Sequence, residues 1–266
     1  MYEFNYHRAT SVADAVAKLA AASDGKLLAG GQTLIAALKL RLASPTDIVD
    51  LRGVAELRGI RKDGGAISIG AMTTHAEVAS SKDVLQAVPA LANLAASIGD
   101  PMVRNMGTLG GSVANNDPAS DYPAGVLGLG ATIHTNKRKI AADDFFTGMF
   151  ETALQPGEII TSIAFPLPKR AGYAKFRNPA SRYAIVGVFV AETANGVRVA
   201  VAGAGPCVFR VAAMEKALGA KFAVDAVANI HPPSKDLNTD IHASAEYRAH
   251  LVTVMAKRAV EQALSK

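Results

Sequence analysis

The chain has 266 residues, half of them hydrophobic and 19% charged, a composition that excludes a disordered chain and allows one large or two modest domains. The net charge of +5 is mild, and apart from Lys137-Arg138-Lys139, which reads as a hairpin tip, the basic residues are scattered, so no nucleic-acid-binding stripe is expected. The single cysteine, Cys207, excludes a disulfide framework, and it excludes an iron–sulfur cluster ligated by this chain alone, because such clusters take about four thiolates.

In chain order, a helix is expected over 10–22, where Thr10 or Ser11 can cap the end and Val12, Val16, Leu19 and Ala20 share a face. Residues 26–29 read as a short buried strand broken by Gly30-Gly31. Residues 33–42 read as a helix ended by Ser44-Pro45, and 48–51 as a second strand. This order makes a small α/β unit with parallel pairing. His7 falls on an N-terminal strand, as a structural residue. Beyond Leu51, strands at 57–60 and 66–70 flank a hairpin turn at 62–65. A short capped helix follows over 74–80, then an alanine-rich helix over 84–97, a glycine-rich segment over 99–111, and a short helix over 123–129 with proline at its start. A second hairpin pairs 132–135 with 138–140, and 159–165 is a strand closed by Pro166 and Pro168. Residues 166–172 are the best linker candidate. Past them, strands 184–192 and 196–203 turn at Asn195-Gly196, and helices cover 212–218 and 250–264, which makes the tail a small α+β domain. No repeat or low-complexity segment is present. The N-terminus has no charged-then-apolar leader pattern, and no stretch nears the roughly 18 uninterrupted apolar residues of a membrane span, so a soluble, cytoplasmic protein is expected.

Two glycine loops carry the chemistry. The first, Leu28-Ala29-Gly30-Gly31-Gln32-Thr33-Leu34, joins a strand to a helix. Glycine permits positive φ and removes the Cβ, so a ligand can approach main-chain N–H groups. Successive N–H groups and a helix start favour an anion. The second, Asn105-Met106-Gly107-Thr108-Leu109-Gly110-Gly111-Ser112, is read as repeating that chemistry. Either loop alone reads more simply as a tight turn. The pair, in two different lobes, suits the two phosphates of a dinucleotide, held by main-chain dipoles rather than lysines. Neither a G-x-G-x-x-G fingerprint nor a phosphate loop of the G-x-x-x-x-G-K-[ST] type occurs.

The sequence resembles the medium, FAD-binding subunits of the xanthine dehydrogenase and carbon monoxide dehydrogenase (molybdenum hydroxylase) family. The resemblance rests on residues 28–34, on Arg104-Asn105-Met106-Gly107-Thr108-Leu109-Gly110-Gly111-Ser112, and on Val113-Ala114-Asn115-Asn116-Asp117-Pro118-Ala119-Ser120-Asp121-Tyr122-Pro123. It extends over residues 158–163, over Tyr173-Ala174-Lys175-Phe176 and over residues 240–248. It implies an α+β protein: a two-lobed (PCMH-type) FAD-binding domain over 1–168, with lobes of about 1–52 and 53–168, then a C-terminal domain over 172–266 with an antiparallel sheet and helices. By position, Gly30, Gly31, Gln32, Thr33 and Leu34, and Thr108, Leu109, Gly110, Gly111 and Ser112 would hold the pyrophosphate, with Leu28 and Ala29 among the other cofactor-binding residues. Asp121 matches the family carboxylate that contacts FAD, Ile160 an apolar flavin contact, Lys175 a lysine near the flavin, and Tyr183 a cover for one ring face. Ile98 and Asn115 join the implied FAD contacts. Ser112 stands where the family usually has Asn, and Arg177 to Tyr183 departs from the commoner Arg-rich, Gly-Asp-containing version.

Read from the residues alone, Asp121 serves equally as a helix N-cap, Lys175 as a solvated strand lysine and Tyr183 as core. Cys207 reads as a buried small hydrophobe, and His75, His134, His231, His242 and His250 show no metal-ligand spacing. The implied role is that of an electron-transfer subunit in a heteromeric complex. It accepts electrons from the [2Fe–2S] clusters of a small partner and passes them to an external acceptor, while a large partner holds molybdopterin. The implied assembly is a dimer of heterotrimers, with no catalytic residue or metal on this chain. The rivals are a stand-alone FAD-dependent reductase, which would need its own acid or base here, and a flavin-free assembly subunit that keeps the fold.

Overall fold

A computed structural model of the chain describes residues 1–265. The first sheet contains β1 (Asn5–Arg8), β2 (Gly25–Leu28) and β3 (Asp47–Asp50), connected through α1 (Val12–Ala21) and α2 (Leu34–Lys39). β3 lies in the middle, parallel to both neighbours, as the strand–helix–strand order predicts. That central place buries Ile48 and Val49. Ser11 caps α1 by accepting from the Asp14 amide. α2 closes at Lys39, short of the expected Leu42, and Arg41 turns left-handed at φ 59° just beyond it.

The second sheet is antiparallel. It runs β4 (Ile60–Asp63), β5 (Ala66–Gly70), then β10 (Ile160–Pro166), β6 (Thr132–Thr135) and β7 (Lys139–Ala141) in space. The first of these strands starts at Ile60 rather than 57, because a 3-10 turn covers Ala55–Leu57. Gly64 and Gly65 join β4 to β5 at φ 49° and 99°, the positive values a two-residue hairpin turn needs.

Six helices bridge β5 to β6: α3 (His75–Ser80), α4 (Lys82–Ala87), α5 (Pro89–Ala96), α6 (Pro101–Met106), α7 (Leu109–Asn115) and α8 (Tyr122–Leu129). The single helix expected over 84–97 is therefore two. Pro89 has no N–H and pushes the residue before it out of the α region, and Val88 sits at φ −144°, ψ 71°. The glycine-rich 99–111 is not a loop either: Asp100 caps α6 and Thr108 caps α7. The short elements α9 (Ala142–Phe145), β8 (Phe146–Gly148) and β9 (Glu151–Thr152) lead into β10.

The third sheet is an antiparallel meander of β11 (Arg170–Arg177), β12 (Ala184–Thr193), β13 (Gly196–Ala202) and β14 (Phe209–Arg210), followed by α10 (Ala212–Ala220) and α11 (Ala245–Leu264). The expected linker shrinks to a short connection, because β10 runs to Pro166 and β11 starts at Arg170. α11 begins five residues before the expected His250, where Ser244 accepts from the Tyr247 amide. Both faces of β12 are buried. Val186, Val188 and Val190 pack with residues of α10 and α11. Phe189 and Ala191 point the other way, into a core shared with Leu91 and Leu94 of α5 and Val126 of α8. Strand alternation thus sends alternate side chains of one apolar run into two cores.

Candidate functional site

The first glycine loop leaves β2 at Leu28, whose side chain is buried with Leu38 and Ile48. A Cβ on Gly30 would lie 2.2 Å from the Met106 carbonyl oxygen, so only glycine lets this loop lie against the end of α6. Gly31 is left-handed, at φ 72°. Among the described residues, the amides of Gly30, Gly31, Gln32, Thr33 and Leu34 donate to no protein acceptor. The Thr33 hydroxyl caps nothing.

The second loop is built differently. The Leu109 amide donates to the Thr73 carbonyl (3.0 Å) and the Gly110 amide to the Ala71 carbonyl (2.8 Å). The Gly111 amide is capped by Thr108 Oγ1 at 3.1 Å, and the Ser112 amide takes the Thr108 carbonyl. The expectation that this loop repeats the first is therefore corrected: its amides from Leu109 to Ser112 are committed to the fold, which leaves the hydroxyls of Thr108 and Ser112. Its glycines divide the work. A Cβ on Gly110 would lie 2.5 Å from the Ala71 Cβ, so Gly110 serves close packing. Gly111 faces the first loop, with the Ala29 Cβ 3.5 Å from where its own Cβ would be.

Between the loops lies a cavity of about 810 Å³, within the roughly 300–1,000 Å³ of small-molecule and cofactor sites. Ala29, Gly30, Gly31, Gln32, Thr33 and Leu34 form one wall. Thr108, Gly110, Gly111, Ser112 and Asn115 form the facing wall, and Ile98, Ile160, Asp121 and Tyr183 complete the enclosure. Leu28, Leu109 and Lys175 do not line it; all three stand buried behind its walls. Tyr183 is 46% exposed, at the rim rather than in the core. Two cations also reach the cavity: Lys26, 3.3 Å from Asp24, and Arg182, which donates to the Gly99 carbonyl at 3.2 Å. The reading from main-chain dipoles alone missed both.

Asp121 is not a capping residue. It occupies the N-cap position of α8 in helical geometry, with no side-chain cap bond. Its carboxylate instead accepts from the Tyr173 hydroxyl and from the Lys175 ammonium, 2.9 Å away. Lys175 is 5% exposed, and its third partner is the Ser97 carbonyl at 2.9 Å, so it is a buried lysine and not a solvated one. Burial pushes the Asp121 carboxyl above its ordinary value, against the opposing pull of Lys175 and Tyr173. The Tyr173 phenol is raised well above its ordinary value by burial and by the adjacent carboxylate.

His75 is the cavity residue that sequence spacing did not single out. It opens α3 behind a capping box of Thr74 and Glu77, the one local signal present in the sequence. Burial, with the charge of Arg104, lowers it to about 4, so it is neutral at neutral pH. Its Nδ1 has no hydrogen-bond partner, and its ring lies 5.3 Å from that of Tyr122. A Cβ on Gly107 would lie 2.5 Å from His75 Nε2, so this histidine fixes the residue that enters the second loop. Cys207 is half-buried against the core and near Asn116 Nδ2.

Free amides, facing hydroxyls and an enclosed carboxylate form a donor set that fits a pyrophosphate flanked by sugar hydroxyls. No group of three or more His, Cys, Asp or Glu stands together to hold a metal ion, and no helix is long and apolar enough to cross a membrane, among the described residues.

Known proteins resemble the chain along nearly its whole length. The chain is 36% identical to the carbon monoxide dehydrogenase medium chain of Afipia carboxidovorans, covering 99% of this chain and 97% of that one. It is 35% identical to the nicotine 6-hydroxylase medium subunit of Paenarthrobacter nicotinovorans, over 97% and 96% of the two chains. A solved structure of the Cu,Mo-CO dehydrogenase in its cyanide-inactivated form contains a chain that superposes with a TM-score of 0.89 at 34% identity, covering 99% of this chain and 98% of that one. The family described as the FAD binding domain in molybdopterin dehydrogenase matches residues 2–168. With that match and relatives this similar along nearly its whole length, the chain belongs to the family of FAD-binding subunits of molybdopterin dehydrogenases.

Proposed function

We propose that this chain is the FAD-binding electron-transfer subunit of a heteromeric molybdenum hydroxylase or dehydrogenase. The observation that carries the site assignment is the run of unpartnered amides from Gly30 to Leu34, facing the Thr108 and Ser112 hydroxyls across one cavity. Those amides and hydroxyls receive the pyrophosphate. Asp121 accepts from sugar hydroxyls, Ile98 and Ile160 supply apolar contact, Asn115 adds a polar group, and Tyr183 covers a ring face at the rim. Leu28, Leu109 and Lys175 support these contacts from behind. FAD, when bound, supplies the redox step between one-electron donors and the final acceptor; the chain binds, orients and shields it.

The partners on this reading are a small subunit with [2Fe–2S] clusters and a large subunit with molybdopterin, assembled as a dimer of heterotrimers in the cytoplasm. The domain division is 1–168 for FAD and 172–266 for the C-terminal unit. The likeness along nearly the whole chain to medium subunits of such complexes favours the relay over a stand-alone reductase. Purification with the co-expressed partners, followed by a visible spectrum and metal analysis, tests the reading. Flavin absorbance together with iron and molybdenum in one particle is expected. A colourless particle would point to the flavin-free assembly subunit, and a flavin-bearing chain that reduces an acceptor without partners to the stand-alone enzyme.

A further inference from the structure

β11 belongs to the third sheet, yet it sends two side chains out of that sheet toward the cavity. Tyr173 and Lys175 alternate with Ala174, so they share one face of the strand. Tyr173 packs on Phe189 with ring centroids 6.1 Å apart and donates its hydroxyl to Asp121 Oδ1. Lys175 Nζ donates to Asp121 Oδ2 at 3.1 Å, forms an ion pair with Oδ1 at 2.9 Å, and also donates to the Ser97 carbonyl at the end of α5. Each carboxylate oxygen therefore accepts one hydrogen bond, Oδ1 from Tyr173 and Oδ2 from Lys175. A carboxylate has about four lone-pair directions, so acceptor directions remain open beyond these two bonds. Ser97 is followed by Ile98 and Gly99, both on the cavity wall, so the same lysine fixes two parts of that wall.

We infer that Tyr173 is a positioning residue for the cofactor: it fixes the Asp121 carboxylate so that an open acceptor direction is presented to an FAD hydroxyl. The inference rests on the FAD reading above. It also gives the C-terminal sheet a task in cofactor binding beyond the wall residues Arg182 and Tyr183, because the docking of β11 sets Asp121 in the cavity wall. Tyr173 does not touch the cofactor and acts only through Asp121. Without the phenol, the carboxylate keeps the lysine but can rotate about its side-chain torsions, and a hydrogen bond to a charged acceptor is lost.

The test is FAD binding to the apo full-length chain, read by quenching of flavin fluorescence, in a double-mutant cycle. Tyr173→Phe keeps the ring and its packing on Phe189 and removes only the hydroxyl. It is expected to weaken FAD by about tenfold, the size of one charge-assisted hydrogen bond. In an Asp121→Asn background the same change is expected to cost less than about twofold, because the group it positions is already altered. A role confined to packing would cost the same in both backgrounds, and that result overturns the inference, as does a Tyr173→Phe chain that binds like the wild type. If Tyr173→Phe does not fold, Lys175→Gln reads the same network from its other donor, and full additivity with Asp121→Asn overturns it equally. A wild-type chain that takes up no FAD overturns the FAD reading itself, and is recognised from the wild type alone.

Discussion

The two glycine loops have nearly the same sequence character and opposite structural uses. In the loop at 28–34, glycine frees a run of amides and lets the chain lie within van der Waals reach of α6. In the second loop the amides of 109–112 are already bonded, to the 71–73 segment and within the start of α7, and the first glycine of its pair exists for close packing. Adjacent glycines therefore mark close approach of backbone to something. Whether that something is a ligand or another stretch of chain depends on tertiary partners.

The sharpest break between the two uses is at Gly110. Gly110→Asp places a carboxylate against the Ala71 side chain and carbonyl oxygen. It is expected to lower apo-protein stability by about 4 kcal/mol, the range of a buried unpaired charge. Flavin loss would follow from unfolding rather than from repulsion of a phosphate. Gly110→Ala separates the causes: packing predicts a lowered thermal midpoint already for alanine, since its Cβ would meet Ala71 at 2.5 Å. An alanine variant with the wild-type midpoint but no flavin would return Gly110 to the ligand.

His75 supports the same loop and makes it pH-sensitive. Burial depresses its folded-state value to about 4 from an ordinary 6.5, so the unfolded chain binds the extra proton first as pH falls. Its contribution is complete above about pH 6.5 and is lost on acidification toward pH 4, a difference of about 3 kcal/mol. Urea melts of the apo chain between those limits are expected to show this slope, with His75→Phe flattening it. An equal slope in the variant would assign it to other groups.

At the first loop the effect shifts from stability to affinity. Gly30→Ala needs the loop to move off the Met106 carbonyl, which displaces the free amides while the loop stays at the surface. FAD affinity is expected to fall about a hundredfold, or ~2.7 kcal/mol, with a smaller loss of stability. Titration of apo-protein with FAD checks this, and an unchanged affinity would mean that the amide run is not the cofactor's seat.

The fold was largely legible because the strand runs, the Asn195-Gly196 and Gly64-Gly65 turns and the caps act locally. The break at Pro89 was legible in principle, since proline disfavours helix at Val88, but alanine content outweighed it. The glycine-rich 99–111 hid two helices because their starts depend on Asp100 and Thr108, single side chains whose caps are visible only in three dimensions. In the site, Gly30 and Asp121 could be named from sequence, but not their uses. The partners of Asp121 lie 52 and 54 residues away, on a strand no local pattern ties to α8. His75 stayed hidden for the same reason, because its neutrality is produced by burial and not by spacing.

The smallest expected effect tests what remains of the second loop once its amides are discounted. Ser112 keeps its amide on the Thr108 carbonyl, so only its hydroxyl faces the cavity. Ser112→Ala removes one neutral donor and leaves the helix start intact. FAD affinity is expected to fall by about fivefold, near 1 kcal/mol, with no change in thermal midpoint. Ser112→Asn keeps a side-chain donor and is expected to stay within about twofold of wild type. Loss of all binding in Ser112→Ala would mean that the second loop, and not the first, carries most of the grip. No change in either variant would leave Thr108 as that loop's one hydroxyl in the grip and widen the contrast between the loops further.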